Sequence, residues 1–255
     1  MPDLSRTLSV LADGQPVTGF NHARLTGTDS VGLEPMPFIL RLWNLSDSDY
    51  YMLSAAKRIS VRYDDSVLAS GAISDVCRLR APEGRITEVI FSAGLFLWEA
   101  PVSLSVEAGV SVSETVRRIL SASGTGIPLL SFPGEDPVRT RGQAFFGRAA
   151  ECVEEALSAA GARGCLTDAG LCVVPSSGLP VSMALTEADL TDAPVRTPGG
   201  LLILRTRPTG WLLGKRISVF WKGERYEGLV TERSVDADNL EGNWQAELLI
   251  DLRYE

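Results

Sequence analysis

The chain has one histidine, His22, so any Ser-His-Asp or Cys-His nucleophilic device would have to use it. It stands in Phe20-Asn21-His22-Ala23-Arg24, which reads as a strand near the N-terminus. No Gly-x-Ser-x-Gly elbow of the kind hydrolases use is present. His22 is therefore read as a surface or packing residue. The four cysteines, Cys77, Cys152, Cys165 and Cys172, contain no Cys-x-x-Cys pair and lie far from His22 in sequence, so a zinc site has little support. Cys152 falls on an apolar helical face and Cys172 in an apolar strand, and both are expected to act as small buried hydrophobes. Ser123-Gly124-Thr125-Gly126 is glycine-rich, but it follows a helix and has no lysine, so it reads as a helix stop rather than a phosphate cradle. Asp236, Asp238 and Glu241 suggest a calcium loop, yet Leu240 and Glu241 occupy the positions that would need an oxygen ligand and a glycine. A solvated hairpin loop is expected there instead. Asp and Glu are plentiful, and no carboxylate pair stands out for glycoside hydrolysis. Of the five tryptophans, Trp221 and Trp244 fit core-facing alternation, and Trp211, between Gly210 and Leu212, is the one placed to make an exposed contact. No catalytic, cofactor-binding or metal-ligating residue is assigned, no cofactor is expected, and the chain is read as a non-enzyme.

The bulk numbers agree. At 255 residues the chain can bury one large core or two modest ones. Its 24 basic and 32 acidic residues give a net charge of -8, which argues against a basic grip on nucleic-acid backbone. An acidic surface suits a conduit through which DNA passes without sticking. Few cysteines fit a reducing compartment of origin. Met1 to Arg6 lacks a signal-peptide profile, and no apolar run approaches the length of a membrane span.

The elements that would carry these residues come in three stretches. Residues 1 to about 100 alternate as half-buried antiparallel strands do: Phe38, Leu40 and Leu42 share one face, Ile59, Val61 and Tyr63 another, and Asp13-Gly14 marks a hairpin. Ser46 to Leu53 fits a short helix or an extended loop equally. From 101 to 180 the period changes. Ser111-Val112-Ser113-Glu114 is a capping-box pattern, with Val112, Val116, Ile119 and Leu120 following at helical spacing. A second helix starts near Gly147, with Ala149, Cys152, Val153, Ala156, Leu157 and Ala160 as its apolar stripe and Gly161 as its cap. Gly164–Thr167 and Gly170–Val174 make a hairpin about Asp168-Ala169. From 181 to 255 the chain alternates again, through Ile217, Val219 and Trp221 and then Trp244, Ala246, Leu248 and Ile250.

The two β stretches share residues. Lys57-Arg58-Ile59-Ser60-Val61 returns as Lys215-Arg216-Ile217-Ser218-Val219. Gly71-Ala72-Ile73-Ser74-Asp75 answers Gly228-Leu229-Val230-Thr231-Glu232, and Glu83-Gly84 with Arg85 to Phe91 answers Glu241-Gly242 with Asn243 to Ile250. The pieces lie 158, 157 and 158 positions apart, which reads as one β-unit used twice.

Three of these segments resemble the baseplate hub proteins of phage tails, the group that includes the late control D family and the N-terminal part of type VI secretion spike proteins. They are Leu104 to Val112 leading into a helix, the duplicated Lys-Arg-Ile-Ser-Val strand with its return, and the ending from Tyr226 to Val230, the loop to Gly242 and Trp244 to Leu252. The resemblance implies a β-rich α+β fold: two tail-tube-like antiparallel β-barrel units, 1–100 and 181–255, flanking a small α/β insert, 101–180. It implies a homotrimer whose six similar lobes join a hexameric tail tube or distal tail protein to a three-fold spike or tip protein. The strands near 85–92 and 243–252 would then pair across subunits or close barrels. DNA would traverse the lumen unbound, no membrane would be involved, and the protein would be made in a host bacterial cytoplasm and end in the virion. A spike or lytic domain would be a separate protein. The other readings are a six-fold distal tail adaptor, a carbohydrate-binding module using Trp211, and a hydrolase with unrecognised carboxylates.

Overall fold

The computed structural model describes residues 6–64, 66–82, 84–208, 212–240 and 242–254. The first strands follow the alternation. β1 (Leu8–Ala12) and β2 (Gln15–Val17) meet at Asp13 and Gly14, whose φ values of 45° and 80° are those a two-residue Asp-Gly hairpin requires. The Asp13 carboxylate also accepts from the amides of Lys57 and Arg58, which fastens this turn to the next strand pair. β3 (His22–Ser30) and β4 (Phe38–Trp43) follow, with Phe38, Leu40 and Leu42 fully buried. The undecided segment is a helix, α1 (Asp47–Ala55): the Ser46 hydroxyl caps the Asp49 amide, and Asp47 and Asp49 sit in the first turn. Then come β5 (Arg58–Tyr63), β6 (Ser66–Ala81) and β7 (Gly84–Ser92).

The middle of the chain builds its own core. It runs α2 (Leu95–Glu99), β8 (Pro101–Val106), α3 (Val112–Ser123), β9 (Leu129–Ser131), β10 (Gln143–Arg148), α4 (Ala149–Ser158), β11 (Ala162–Leu166) and β12 (Leu171–Pro175). The apolar stripe of α4 packs on Val112, Val116, Ile119 and Leu120 of α3. Ser111 caps α3 as expected, and Gly124, at φ 67°, ends it. The glutamate half of the capping box is not made: Glu114 turns to Arg118 instead, and Asp136 separately accepts from the Ser113 amide. The expected hairpin is β11–β12, closed by a bond from the Thr167 amide to the Gly170 carbonyl.

The last stretch contributes β13 (Val181–Leu185), a short 3-10 turn (Glu187–Asp189), β14 (Val195–Arg196), β15 (Leu201–Thr206), β16 (Arg216–Trp221), β17 (Glu224–Asp238) and β18 (Trp244–Asp251). Among the described residues, thirteen strands join in one large sheet, antiparallel throughout except where β13 runs parallel to β16. Two expectations are corrected. Asp236 and Asp238 belong to strand β17, not to a solvated loop. The strands near 85–92 and 243–252 are interior: β7 lies between β4 and β6, and β18 between β15 and β17. Pairing on both sides leaves them no free edge with which to pair across subunits, the first of the two roles expected of them.

Candidate assembly face

The sequence repeat is also a repeat of pairings. β5, β6 and β7 associate as β16, β17 and β18 do: Arg58 lies opposite Ala72, and Arg216 opposite Leu229. Each long strand carries one extra residue at the same place. Ser74 is passed over between the pairs Ile73–Phe91 and Asp75–Ile90, and Thr231 between Val230–Ile250 and Glu232–Leu249. Each bulged residue uses its hydroxyl alike, Ser74 donating to the Ile90 carbonyl at 3.0 Å and Thr231 to the Leu249 carbonyl at 3.2 Å. A methyl group on Gly71 would collide with the carbonyl of Ser92, and one on Gly228 with that of Asp251. An ion pair crosses the neighbouring ladder in both copies, Arg41 to Glu88 at 2.8 Å and Arg205 to Glu247 at 3.0 Å. Convergence of two strands on similar residues would not reproduce the bulge, the hydroxyl clasp, the glycine and the ion pair together.

The two copies meet in one ribbon of eight antiparallel strands, in the order β14-β15-β18-β17-β3-β4-β7-β6. At the junction, β17 of the second copy pairs with β3 of the first, with Asp236 opposite Thr26. Arg24 grips Asp236 through two bonds of 3.0 and 3.1 Å, and Thr28 meets Ser234 at 2.9 Å. On the buried side, Arg233 donates to both oxygens of Asp29, at 3.1 and 2.8 Å, and to the Leu68 carbonyl at 2.7 Å. A bidentate guanidinium fixes direction as well as charge, so three segments of chain are locked there. Burial nevertheless holds the Asp29 carboxyl above its ordinary range, with Arg233 drawing it back only in part.

The residues singled out for chemistry take structural places. His22 stacks on Trp43 at 3.9 Å between ring centres, and its Nε2 lies 2.8 Å from Asp238, so both fasten the same junction. Ser123 and Gly124 close α3, the Ser123 hydroxyl donating to the Leu120 carbonyl at 2.7 Å. Cys152 and Cys165 are buried, while Cys172 is half-buried rather than enclosed. Trp244 packs edge-on against Tyr63, and Trp221 is half-buried at the end of β16. Glu83, Trp211 and Glu241 lie outside the described residues. Among the described residues, no group of His, Cys, Asp and Glu could hold a metal ion. Two features escaped sequence reading: the Arg233–Asp29 pair and the ends of the ribbon. The signal for the first was an arginine at an inward position of an otherwise apolar strand face, Arg233, Val235 and Ala237.

No protein-family model and no curated protein sequence matches the chain. Solved structures do match its fold. The tail protein from Neisseria meningitidis aligns with a TM-score of 0.70 at 12% identity over 95% of this chain and 95% of that one. The 43 kDa tail protein of prophage MuSo2 from Shewanella oneidensis aligns at 0.68 and 11% over 95% of this chain and 97% of that one. An E. coli protein described as a component of the type VI secretion system, with structural similarity to the T4 bacteriophage tail proteins gp27 and gp5, aligns at 0.70 and 12% over 95% of this chain and 76% of that one. The chain thus shares the fold of phage tail and type VI secretion proteins over nearly its whole length.

Proposed function

We propose that this protein is the structural baseplate hub of a phage or phage-like tail. In this reading residues 1–100 and 181–255 are two tube-like β-units, and 101–180 is an insert that decorates the ring. Three chains form a ring of six similar lobes, which meets a hexameric tail tube on one side and a three-fold spike or tip on the other. The observation that carries the reading is the duplicated unit joined into one continuous ribbon. Two equivalent surfaces per chain are what a three-fold body needs to face a six-fold one. The shared fold with tail proteins and with a type VI secretion component supports it. No reacting group enters the mechanism: the hub works by presenting surfaces in matched symmetry, and the net charge of -8 discourages passing DNA from binding.

The test is the mass and symmetry of the purified protein, by light scattering and averaged electron micrographs. A trimeric ring with six lobes is expected. A hexamer would favour a six-fold tail adaptor instead, and a monomer that forms no ring even beside tube and tip proteins would refute the hub.

A further inference from the structure

The eight-strand ribbon has two ends, and among the described residues both are bare. At one, residues 75–81 of β6 run on past β5 and pair only with β7. At the other, β14 pairs only with β15. Unpaired rails of this kind invite a further strand. The internal repeat states which one belongs there. β6 answers to β17 and β14 answers to β3, and β17 and β3 are paired within the chain. We propose that β6 of one molecule pairs antiparallel with β14 of a second copy, with Leu79 directly opposite Val195. The register comes from the repeat alone; closure at three chains rests on the hub reading.

The register transfers residue by residue. Phe38 lies opposite Phe91 and Leu202 opposite Ile250, which aligns β4 with β15. Thr26, opposite Ile39, therefore answers to Val195, opposite Ile203. The shared bulge aligns Asp236 with Leu79. Since Asp236 faces Thr26 within the chain, Leu79 faces Val195 across the joint. These two apolar side chains are 41% and 56% exposed in the single molecule, one at each end of the ribbon.

The backbone is turned the right way. The Thr197 amide donates inward to the Leu201 carbonyl, so by alternation the amide and carbonyl of Arg196 point outward. Leu79 and Val195 then form the close pair without mutual hydrogen bonds, the geometry in which facing side chains approach best. Pro194 and Pro198 bracket this stretch and lack an N–H, which keeps the ladder short. Arg196 would stand opposite Arg78, whose charge Asp47 already meets at 2.6 Å and whose guanidinium lies over Tyr50. Val76 and Pro198 take the places of Arg233 and Asp29, so the joint between molecules lacks the buried lock of the joint within each. Because the two edges differ, the contact is head-to-tail and must close into a ring or run on as a filament.

Disulfide trapping tests the register. Leu79→Cys and Val195→Cys are combined in a Cys77→Ser background, oxidised and resolved without reductant. Covalent dimers and trimers are expected, and mixing the two single variants should give one covalent dimer and nothing larger. Placing the first cysteine at Arg80 instead, on the opposite face, should abolish the product; equal cross-linking there would overturn the register. Trimeric rings that do not cross-link would overturn this joint and leave the hub reading standing. A ladder running on to six would support the joint and remove the trimer. Monomers that yield no adduct at any concentration would overturn both.

Discussion

Arg233 is only 1% exposed and spends its guanidinium on Asp29 and on the Leu68 carbonyl. Removing one partner of such a pair leaves a charge buried without compensation. Arg233→Met is therefore expected to cost about 3–5 kcal/mol at neutral pH. The pH dependence has a definite sign. Asp29 already titrates above its ordinary value because burial outweighs the pull of Arg233. A carboxyl raised in this way contributes stability that is fully present below its unfolded pKa and is lost as pH rises through its folded one. Without Arg233 the carboxyl rises further, so the penalty of the variant should shrink from neutral to mildly acidic pH, as Asp29 takes up a proton. Urea unfolding at neutral and mildly acidic pH checks this, and a penalty independent of pH would show that the charge of Asp29 is not what the mutation exposes. The sequence signals an inward arginine on an apolar strand face but not its partner, because burial of Arg233 depends on Asp29, which stands 204 positions away.

At the scale of the element, the repeat makes each substitution its own control. Gly71→Ala and Gly228→Ala both force a methyl group onto a carbonyl of the adjoining strand, and each is expected to cost about 1–3 kcal/mol. Ser74→Ala and Thr231→Ala each lose one bond to a partner carbonyl, with an expected cost of about 1 kcal/mol. Thermal unfolding of the four variants should give two matched pairs; mismatch within a pair would mean that the copies have diverged in their energetics. Alternation, glycine positions and helical spacing made most of these elements readable: the β5–β7 and β16–β18 sets, α3, α4 and the β11–β12 hairpin all lie where local residue types place them. The failures have a common cause. Asp236 and Asp238 look like loop residues because acidic side chains rarely sit within strands, yet here Arg24 and His22, from the far end of the chain, bond to them. β14 is two residues long and follows a proline, so it carries almost no period of its own.

At the scale of the whole molecule, the proposed ring would have to form by joining the ribbons of separate chains. The joint within each chain is held by a ladder, the Arg24–Asp236 pair and a buried lock, whereas the proposed joint between chains has a short ladder and one apolar contact. Its strength should therefore turn on Leu79 and Val195 without affecting the fold, since both are exposed in the single molecule. Opposite charges facing each other across antiparallel strands are worth about 0.2–1 kcal/mol, and like charges directly opposite oppose pairing. Leu79→Lys with Val195→Glu is then expected to retain rings, and Leu79→Lys with Val195→Lys to lose them, with the same melting temperature for the monomer in both. Raising the salt concentration should weaken the opposite-charge ring and relieve part of the defect in the like-charge variant, because exposed charges are screened. Light scattering across a salt series reads both trends at once. Rings that persist equally in the two variants would mean that these edges never meet, and that the ring closes through the flanks of the tube-like units instead.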